Sequence, residues 1–483
     1  MPEMSKISSR RWLYGIAAFV VAVIVIVAAA LVVNRTGDTG VEAAEEITAA
    51  SPVVGAVPVD GVDSSAPDTD TVASVLSGPA ADAALGQVTG HVTDVATGEE
   101  IWSADPDRTL VPASATKLTT ATAALLTLPV DDRVGTTVLA GDEPGQIILR
   151  GGGDVTLQRS EDSGFFTDAP TIDDLAEQVT GALGGQQVTS VIVDNSVREG
   201  DLFNSTWSTD DIAAGNVAPL GAVMLDAGRL DPTENYSPRS NTPAADAGRA
   251  LADALGATGA SVSVSDEPVG TGTDDGDSDG DSDGSFEALG TVYSAPLGTR
   301  LRDMMLHSDN LLAEAVGREV AAARGGSATF SGATDAILDT LGEAGIDVDE
   351  AVLKDCSGMS EDNRLSARIL DGVLALAAGA PVSDGVDDDI ADRAAELRLL
   401  LDALPVAAAD GTLSDRYLSG SGAESAAGRV RAKTGTLDGV NALAGTLTTD
   451  SGRVLTFAFL SNGSDQDAGR AALDRLAAAL RKV

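Results

Sequence analysis

The 483-residue sequence predicts an α/β fold in which both ends of the chain contribute strands to one sheet. Alternating apolar residues bounded by Gly, Asp and Ser predict strands near each end, and longer periodic segments between them predict helices. The predicted strands are 88–92, 100–103, 188–193, 429–433, 443–448 and 454–460. The predicted helices are 115–126, 175–183, 296–324, 365–377, 391–404 and 467–481. We therefore expect a sheet that both chain ends complete, with an insertion between them.

The length of the chain predicts two or three domains, because a single core rarely grows this large. We expect a catalytic domain to be formed by residues 81–155 and 290–483, and residues 156–289 to form one or more inserted domains. Within the insertion, residues 270–285 are a run of Asp, Gly, Ser and Thr. This run begins like a calcium-binding loop, but the glutamate required at the twelfth position is missing. A disordered acidic loop is the preferred interpretation.

Charge and composition exclude several classes of function. The sequence has 31 Lys and Arg against 74 Asp and Glu, a net charge of −43, which disfavours binding to nucleic acid. A single cysteine, Cys356, excludes an internal disulfide framework and a thiolate metal cluster. With only His91 and His307, a Ser-His-Asp triad is a poor expectation. We expect no cofactor and no metal site.

The N-terminal residues predict export from the cytoplasm. Residues 1–11 are basic and precede an uncharged, mostly apolar run at 12–33, which is long enough for one transmembrane helix. The basic side of such a helix stays in the cytoplasm, so the chain after Val33 is expected outside a single-pass membrane anchor. The alternative is a signal peptide cleaved near residues 28–30, with a secreted product. Residues 34–80 are expected to form a disordered extracellular stalk.

Three short motifs carry the chemistry. They are Ser-Ala-Thr-Lys at 114–117, Ser-Asp-Asn at 308–310 and Lys-Thr-Gly at 433–435. Each is weak alone, because a short pattern of this kind often arises by chance. In this order, in an exported chain, they match the set found in β-lactamases and penicillin-binding proteins.

The first motif suits acyl transfer. Ser114 and Lys117 are three residues apart at the start of a predicted helix, so both side chains lie on one face. A desolvated, neutral lysine can accept the serine proton, and a nearby second cation such as Lys433 would favour that neutral form.

The other two motifs would complete the site. Ser308 and Asn310 are two residues apart and would both point towards the lysine and the substrate. Lys433, Thr434 and Gly435 lie on a predicted strand. The cation and hydroxyl suit a substrate carboxylate, and the missing side chain of Gly435 would let the substrate backbone approach. The backbone N–H groups of Thr436 and Ser114 would form an oxyanion hole.

Longer stretches extend this match to a family. Residues 111–117, the glycine-rich segment 150–154, residues 308–314, the segment DCSGMSEDNRLS at 355–366 and residues 404–416 resemble the DacB-type D-Ala-D-Ala carboxypeptidases. These are low-molecular-mass penicillin-binding proteins with a large insertion, and the resemblance spans about 88–483. The separation of 194 residues between Ser114 and Ser308 leaves room for that insertion. Cys356 departs from the small residue usual in the family, and a buried, inert thiol is the interpretation we favour.

The resemblance implies a penicillin-binding-protein-like transpeptidase fold, with an antiparallel sheet, flanking helices and a helical subdomain. It implies that the enzyme removes the terminal D-Ala from peptidoglycan stem peptides through an acyl-enzyme at Ser114, and that β-lactams acylate the same serine. Related alternatives are a D,D-endopeptidase that cuts peptidoglycan cross-links, a β-lactamase or an esterase. An alternative of a different class is a non-catalytic β-lactam-sensing or wall-binding module.

Overall fold

A computed structural model describes residues 67–161, 164–269, 286–381 and 388–483. The predicted basic segment 1–11, the predicted membrane segment 12–33, residues 34–66 of the predicted stalk and the acidic run 270–285 lie outside these residues. Within the described ranges, no helix has both the length and the apolar character that crossing a bilayer requires.

The elements follow one another along the chain in two classes. The helices are α1 (Thr69–Ala80), α2 (Lys117–Thr127), α3 (Ile172–Leu183), α4 (Asp210–Ala213), α5 (Pro243–Ala254), α6 (Leu297–His307), α7 (Asn310–Ala323), α8 (Phe330–Glu343), α9 (Ala367–Ala378), α10 (Asp388–Asp402) and α11 (Gln466–Ala479). The strands are β1 (Gln87–Asp94), β2 (Glu100–Ala104), β3 (Gly135–Ala140), β4 (Gln146–Gly151), β5 (Ser190–Asp194), β6 (Ser261–Ser265), β7 (Ala288–Tyr293), β8 (Val430–Leu437), β9 (Val440–Thr448) and β10 (Val454–Asn462).

The first sheet joins the two ends of the chain, as the sequence predicts. Its strand order is β2-β1-β10-β9-β8, and every neighbouring pair is antiparallel. β1 pairs with β10 so that Gln87 lies opposite Asn462 and Asp94 lies opposite Leu455. β8 lies at the edge of the sheet, so the backbone groups along its outer side are available to other parts of the molecule.

The two faces of this sheet pack against different helical layers, because successive side chains of a strand point to opposite sides. On β9, Ala442 and Ala444 contact the core that includes residues of α2, α7, α8 and α9. Leu443 and Leu447 contact the opposite core, which includes residues of α1 and α11. The small alanines allow the helices on the first face to approach the sheet closely.

The second sheet has the order β6-β5-β4-β3-β7, with parallel pairing of β4, β5 and β6 and antiparallel pairing elsewhere. α3 and α5 cover it through Leu175 and Leu251, which pack with Val191 and Val193. This sheet begins at Gly135, before the predicted domain boundary at residue 156. The boundary is corrected because β4 extends the pairing of β5 rather than joining the first sheet. We call residues 135–293, from β3 to β7, the inserted module.

The end of the predicted stalk is also corrected, because residues 69–80 form α1 rather than a disordered segment. Asp68 caps the helix by accepting a hydrogen bond from Thr71 N at 3.1 Å. Val72 and Leu76, four residues apart, are fully buried against α11. An apolar pair at helical spacing therefore orders a segment whose overall composition favours disorder.

Most predicted elements of the first sheet and its helices are confirmed. The predicted helix at 296–324 is divided into α6 and α7 at Ser308 and Asp309. The sequence patterns do not predict β3, β4, β6, β7, α1, α4, α5 or α8.

Candidate active site

Ser114 lies in a single 3₁₀ turn, Ala113–Thr116, that leads directly into α2. Ala113 has a positive φ of 47°, a conformation that is unfavourable for a residue with a Cβ. Strain of this kind is common where a backbone must present a reactive group. Residues 117–125 of α2 are all buried, so the turn rests on a helix fixed by its surroundings. Ser114 itself remains partly accessible.

Lys117 lies in the centre of the site. Its side chain is fully buried, and its Nζ donates to three oxygen acceptors. These are Ser114 Oγ at 3.1 Å, Asn310 Oδ1 at 2.7 Å and the carbonyl oxygen of Ser357 at 2.7 Å. The predicted contact between the serine and the lysine is therefore present, and the amine is fixed in direction by the two shorter bonds.

Burial lowers the pKa of Lys117 to about 8, although the carboxylates of Asp355, Asp309 and Glu314 act in the opposite direction. Desolvation disfavours the charged amine because water no longer stabilises it. A lysine with this pKa exists partly as the neutral amine near neutral pH, and the neutral amine is the form that can accept a proton.

The bend between α6 and α7 presents the second motif. Ser308 adopts a left-handed conformation with φ 56°, which ends α6, and Asp309 caps α7. Ser308 Oγ accepts a hydrogen bond from Lys433 Nζ at 2.9 Å, whereas Asn310 Oδ1 binds Lys117. The two polar side chains thus reach different lysines, and the bend connects them.

Lys433 on β8 is fully buried beside this bend. Its Nζ donates to Ser308 Oγ and to the carbonyl oxygen of Thr434 at 2.8 Å, and the described residues offer it no carboxylate. Burial first, and then repulsion by Lys117, hold the pKa of Lys433 well below its ordinary value. The groups that shift the pKa of Lys117 do not include Lys433, so the expectation that a charge on Lys433 keeps Lys117 neutral stays a prediction.

Gly435 allows β8 to lie against the nucleophile turn. A Cβ at this position would be 2.6 Å from the carbonyl oxygen of Pro112 and 3.2 Å from Ala113 Cβ. The sequence attributes this glycine to the approach of substrate, but the closest groups belong to the protein itself. Gly358, with φ +84°, plays a similar part on the other side, where a Cβ would lie 1.9 Å from the carbonyl oxygen of Ala113.

Two backbone donors are available near Ser114 Oγ. The Ser114 N–H belongs to the first turn of a helix, where backbone donors have no intrahelical partner. On β8, Ala432 N donates to Pro405 O on the side away from β9. Because backbone direction alternates along a strand, Thr436 N–H points to that same open side. Both predicted oxyanion-hole donors therefore belong to backbone that borders the cleft.

The loop at 355–363 completes the surroundings of Lys117. It belongs to the segment 355–366 that resembles the family, but the sequence did not predict its individual contacts. Asp355 accepts hydrogen bonds from Gly358 N at 2.8 Å, Ser360 N at 2.6 Å and Trp207 Nε1 at 2.8 Å. The buried carboxylate of Glu314 accepts from the backbone N–H groups of Cys356 and Ser357.

Burial, with the neighbouring Asp355 acting in the same direction, raises the pKa of Glu314 to about 7. Cys356 is fully buried, as predicted, and burial raises the pKa of its thiol well above the usual range. A thiol held in this protonated form is unreactive.

Open space lies on both sides of Thr436, close to the nucleophile turn. One cavity of about 770 Å³ is bordered by Ser114, Ser308, Thr434, Thr436 and Arg416, among others. A second of about 610 Å³ shares Thr436 and continues past Asn216, Met359 and Asp438. Thr436 therefore lies between the two cavities, and Ser114 borders the first of them.

The chain is similar to known proteins over most of its length. The model of the "D-Ala-D-Ala carboxypeptidase 3 (S13) family" matches residues 72–238 and 231–483. Carboxypeptidase DacB of Mycolicibacterium smegmatis is 43% identical over 475 residues, covering 97% of this chain and 96% of that protein. A carboxypeptidase of Mycobacterium tuberculosis is 43% identical over 431 residues, covering 88% of this chain and 87% of the relative.

A solved structure shows the same fold. The crystal structure of penicillin binding protein 4 (dacB) from Haemophilus influenzae superposes with a TM-score of 0.64 at 20% identity, covering 86% of this chain and 100% of that one. The predicted penicillin-binding-protein-like α/β fold is thereby confirmed. With the family match over most of the described residues, the chain belongs to the D-Ala-D-Ala carboxypeptidase 3 (S13) family, and the carboxypeptidase activity inferred from the sequence is confirmed.

Proposed function

We propose that Ser114 is the nucleophile of this carboxypeptidase and that Lys117 is its base. The contact of 3.1 Å between Lys117 Nζ and Ser114 Oγ, inside a buried site that lowers the lysine pKa, carries this proposal. Neutral Lys117 accepts the Ser114 proton as Oγ attacks the carbonyl carbon of the penultimate D-Ala. The oxyanion is stabilised by the N–H groups of Ser114 and Thr436.

The two cavities assign a direction to the substrate. Ser308 and Thr434 line the 770 Å³ cavity, and the buried Lys433 lies behind them with its Nζ 2.9 Å from Ser308 Oγ. In this proposal the terminal carboxylate and the departing D-Ala lie on that side. The stem peptide that becomes the acyl group then lies in the 610 Å³ cavity beyond Asn216. Asn310 stays bound to Lys117, and Ser308 is placed to pass its hydroxyl proton to the leaving amine while it takes a replacement proton from Lys433 Nζ, 2.9 Å away. Water then hydrolyses the acyl-enzyme.

Substrate binding would also alter the charge of the two lysines. A terminal carboxylate supplies the counter-charge that Lys433 lacks and therefore favours its cationic form. The positive charge that Lys433 then carries disfavours a second cation nearby, so it favours the neutral form of Lys117. In this proposal, a substrate with a free carboxylate helps to prepare the base that will attack it.

Cleavage of cross-links is a second candidate function, and one observation favours it. The leaving-group cavity of about 770 Å³ falls within the range that holds drug-sized ligands, which is more space than one alanine fills. A leaving amine that belongs to another stem peptide would extend into this space.

Covalent labelling tests the nucleophile. Fluorescent penicillin should label the wild-type chain, and Ser114→Ala should lose both the label and the release of D-Ala from purified linear muropeptides, because Ser114 Oγ is the atom proposed to form the acyl-enzyme. Products are measured by chromatography and mass spectrometry, with cross-linked muropeptides run in parallel to detect endopeptidase activity. Label retained in Ser114→Ala, or an adduct on another peptide, would contradict the assignment. Labelling without D-Ala release would instead support the sensing alternative.

The pH dependence of acylation tests the base. Because the neutral form of Lys117 is active and its pKa is about 8, kcat/KM should rise about tenfold per pH unit on the acid side and level off above that value. Stopped-flow acylation between pH 6 and 9.5 measures it. Lys117→Arg, whose guanidinium does not lose its proton in this range, should be inactive throughout. A flat profile in the wild-type enzyme would exclude Lys117 as the base.

Substrate pairs test Lys433. Lys433→Ala should lower kcat/KM for peptides with a free C-terminus. The expected loss of transition-state stabilisation is about 1.5–3 kcal/mol, the contribution of a hydrogen bond to a charged group. Matched C-terminally amidated or ester substrates should be affected less. Thr434→Val, which removes only the neighbouring hydroxyl, provides a comparison with a smaller expected loss. Equal losses on both substrate types would show that Lys433 does not bind the carboxylate.

We also propose that the chain is anchored in the bacterial membrane by residues 12–33, with the catalytic part outside. The basic residues before Trp12 and the apolar run after them support this topology.

Cell fractionation tests the anchor. The full-length protein should sediment with membranes, resist extraction by salt, and expose a C-terminal tag to protease added outside spheroplasts. Reversing the charge of Lys6, Arg10 and Arg11 should reduce the outside-facing fraction. Release of a soluble form with a new N-terminus near residue 30 would demonstrate a cleaved signal peptide instead.

A further inference from the structure

Asp309 is the member of the second motif that does not face Lys117 or Lys433. Its carboxylate is fully buried and points towards the inserted module. There Arg229 Nη2 donates to Asp309 Oδ2 at 2.8 Å, and Arg239 Nη2 approaches the same oxygen at 3.4 Å. The other oxygen, Oδ1, accepts from Leu312 N at 2.8 Å and so caps α7. One side chain thus ties the start of α7 to two arginines from a different part of the chain.

Arg229 is held firmly by the inserted module. Its side chain is fully buried, and Nη1 donates to the carbonyl oxygen of Asp226 at 3.1 Å. The guanidinium lies 3.5 Å from the centre of the Phe165 ring, a cation–π contact that fixes its plane. A guanidinium fixed in this way imposes its own direction on the carboxylate that it binds.

Arg239 makes a second connection to the same motif. Its Nε donates to the carbonyl oxygen of Gly215 at 2.8 Å, and its Nη1 donates to that of Ala227 at 2.7 Å. The residue after Gly215 is Asn216, whose carbonyl oxygen accepts from Asn310 Nδ2 at 3.0 Å. Arg239 therefore holds the backbone at Gly215, and the neighbouring Asn216 carbonyl fixes Asn310 Nδ2. This leaves Asn310 Oδ1 facing Lys117.

We infer that Arg229 and Arg239 are positioning residues for acyl transfer, which act through Asp309 and Asn216 to hold Ser308 and Asn310 against the two lysines. This inference rests on the proposed roles of Ser114 and Lys117. Without Arg229 and Arg239, the buried carboxylate of Asp309 would be an unpaired charge. The left-handed bend at Ser308 would then lose the anchored residue that follows it. The inserted module then helps to position the catalytic residues, and is not only an appended domain.

The arginines also affect Lys117 electrostatically. The titratable groups around Lys117 are the carboxylates of Asp309, Asp355 and Glu314 and the amine of Lys433. Burial alone would raise the pKa of Asp309, but Arg229 and Arg239 hold it well below the usual range. Removing an arginine leaves Asp309 less well compensated, so its attraction for a proton on Lys117 becomes stronger. The pKa of Lys117 should then rise.

The test compares two buried arginines of the inserted module. Arg229→Met removes the positive charge and the planar guanidinium that donates to Asp309. Arg198→Met is the control, because Arg198 is also buried but donates to the carbonyl oxygens of Gly153 and Gly221 instead. For each variant, thermal denaturation measures folding, and active-site titration with fluorescent penicillin followed by pH–rate measurements gives kcat, KM and the acid limb.

We expect Arg229→Met to reduce kcat on the order of a hundredfold with a small change in KM, as for a misplaced catalytic group. The acid side of the pH–rate profile of Arg229→Met should move to higher pH by roughly one unit, while that of Arg198→Met stays in place. If Arg229→Met does not accumulate, Arg229→Lys carries the test. It keeps the charge but loses the planar fork, so kcat should fall roughly tenfold while the acid limb stays near its wild-type position.

Two outcomes would overturn the inference. One is an unmoved acid limb in Arg229→Met with a loss of kcat no larger than that of Arg198→Met. The other is wild-type kcat in Arg229→Lys when the methionine variant does not fold. Failure of the proposed function is distinguishable, because it would appear in the wild-type enzyme itself as the absence of label on Ser114.

Discussion

The burial of Lys117 is the constraint on which the rest of the site depends. An amine removed from water must find acceptors, and it finds three, one of them the serine that it is proposed to activate. To provide those acceptors, the fold brings together a helix start, a bend between two helices and a loop that lie far apart in the sequence. The same burial reduces the proton affinity of the amine, so the structural requirement and the chemical one are met by a single arrangement.

Close approach of backbones makes this burial possible. Gly435 and Gly358 flank the turn that carries Ser114, and a side chain on either would collide with the carbonyl of Pro112 or Ala113. Carboxylates then hold the surrounding segments, with Asp355 and Glu314 binding backbone N–H groups of one loop and Asp309 capping α7. The charges nearest to Lys117 are therefore also the groups that hold its neighbours in place, which couples the stability of the site to its proton affinity.

The sequence predicted the residues of the site better than the packing around them. Ser114, Lys117, Ser308, Asn310 and Lys433 could be identified because each belongs to a short motif of chemically reactive types in a fixed order. The sheet shared by the chain ends could also be predicted, because β9 and β10 are short, largely apolar runs joined by the turn residues Asp450, Ser451 and Gly452. In contrast, α1 was not predicted, because its segment has a composition typical of disorder. The start of the second sheet was not predicted, because no local sequence feature distinguishes β4 from a strand of the first sheet.

What the sequence determined by itself was the chemistry: a serine, two lysines and their polar neighbours, and hence a carboxypeptidase family. Only the tertiary structure decided how these groups are arranged. It showed that Gly435 makes room for the nucleophile turn, that Lys433 lacks a carboxylate partner among the described residues, and that Arg229 and Arg239 reach Asp309 from the inserted module. These facts depend on contacts between residues some 70 to 320 positions apart. Local sequence patterns contain propensity and periodicity, but they do not specify which distant groups share a buried space.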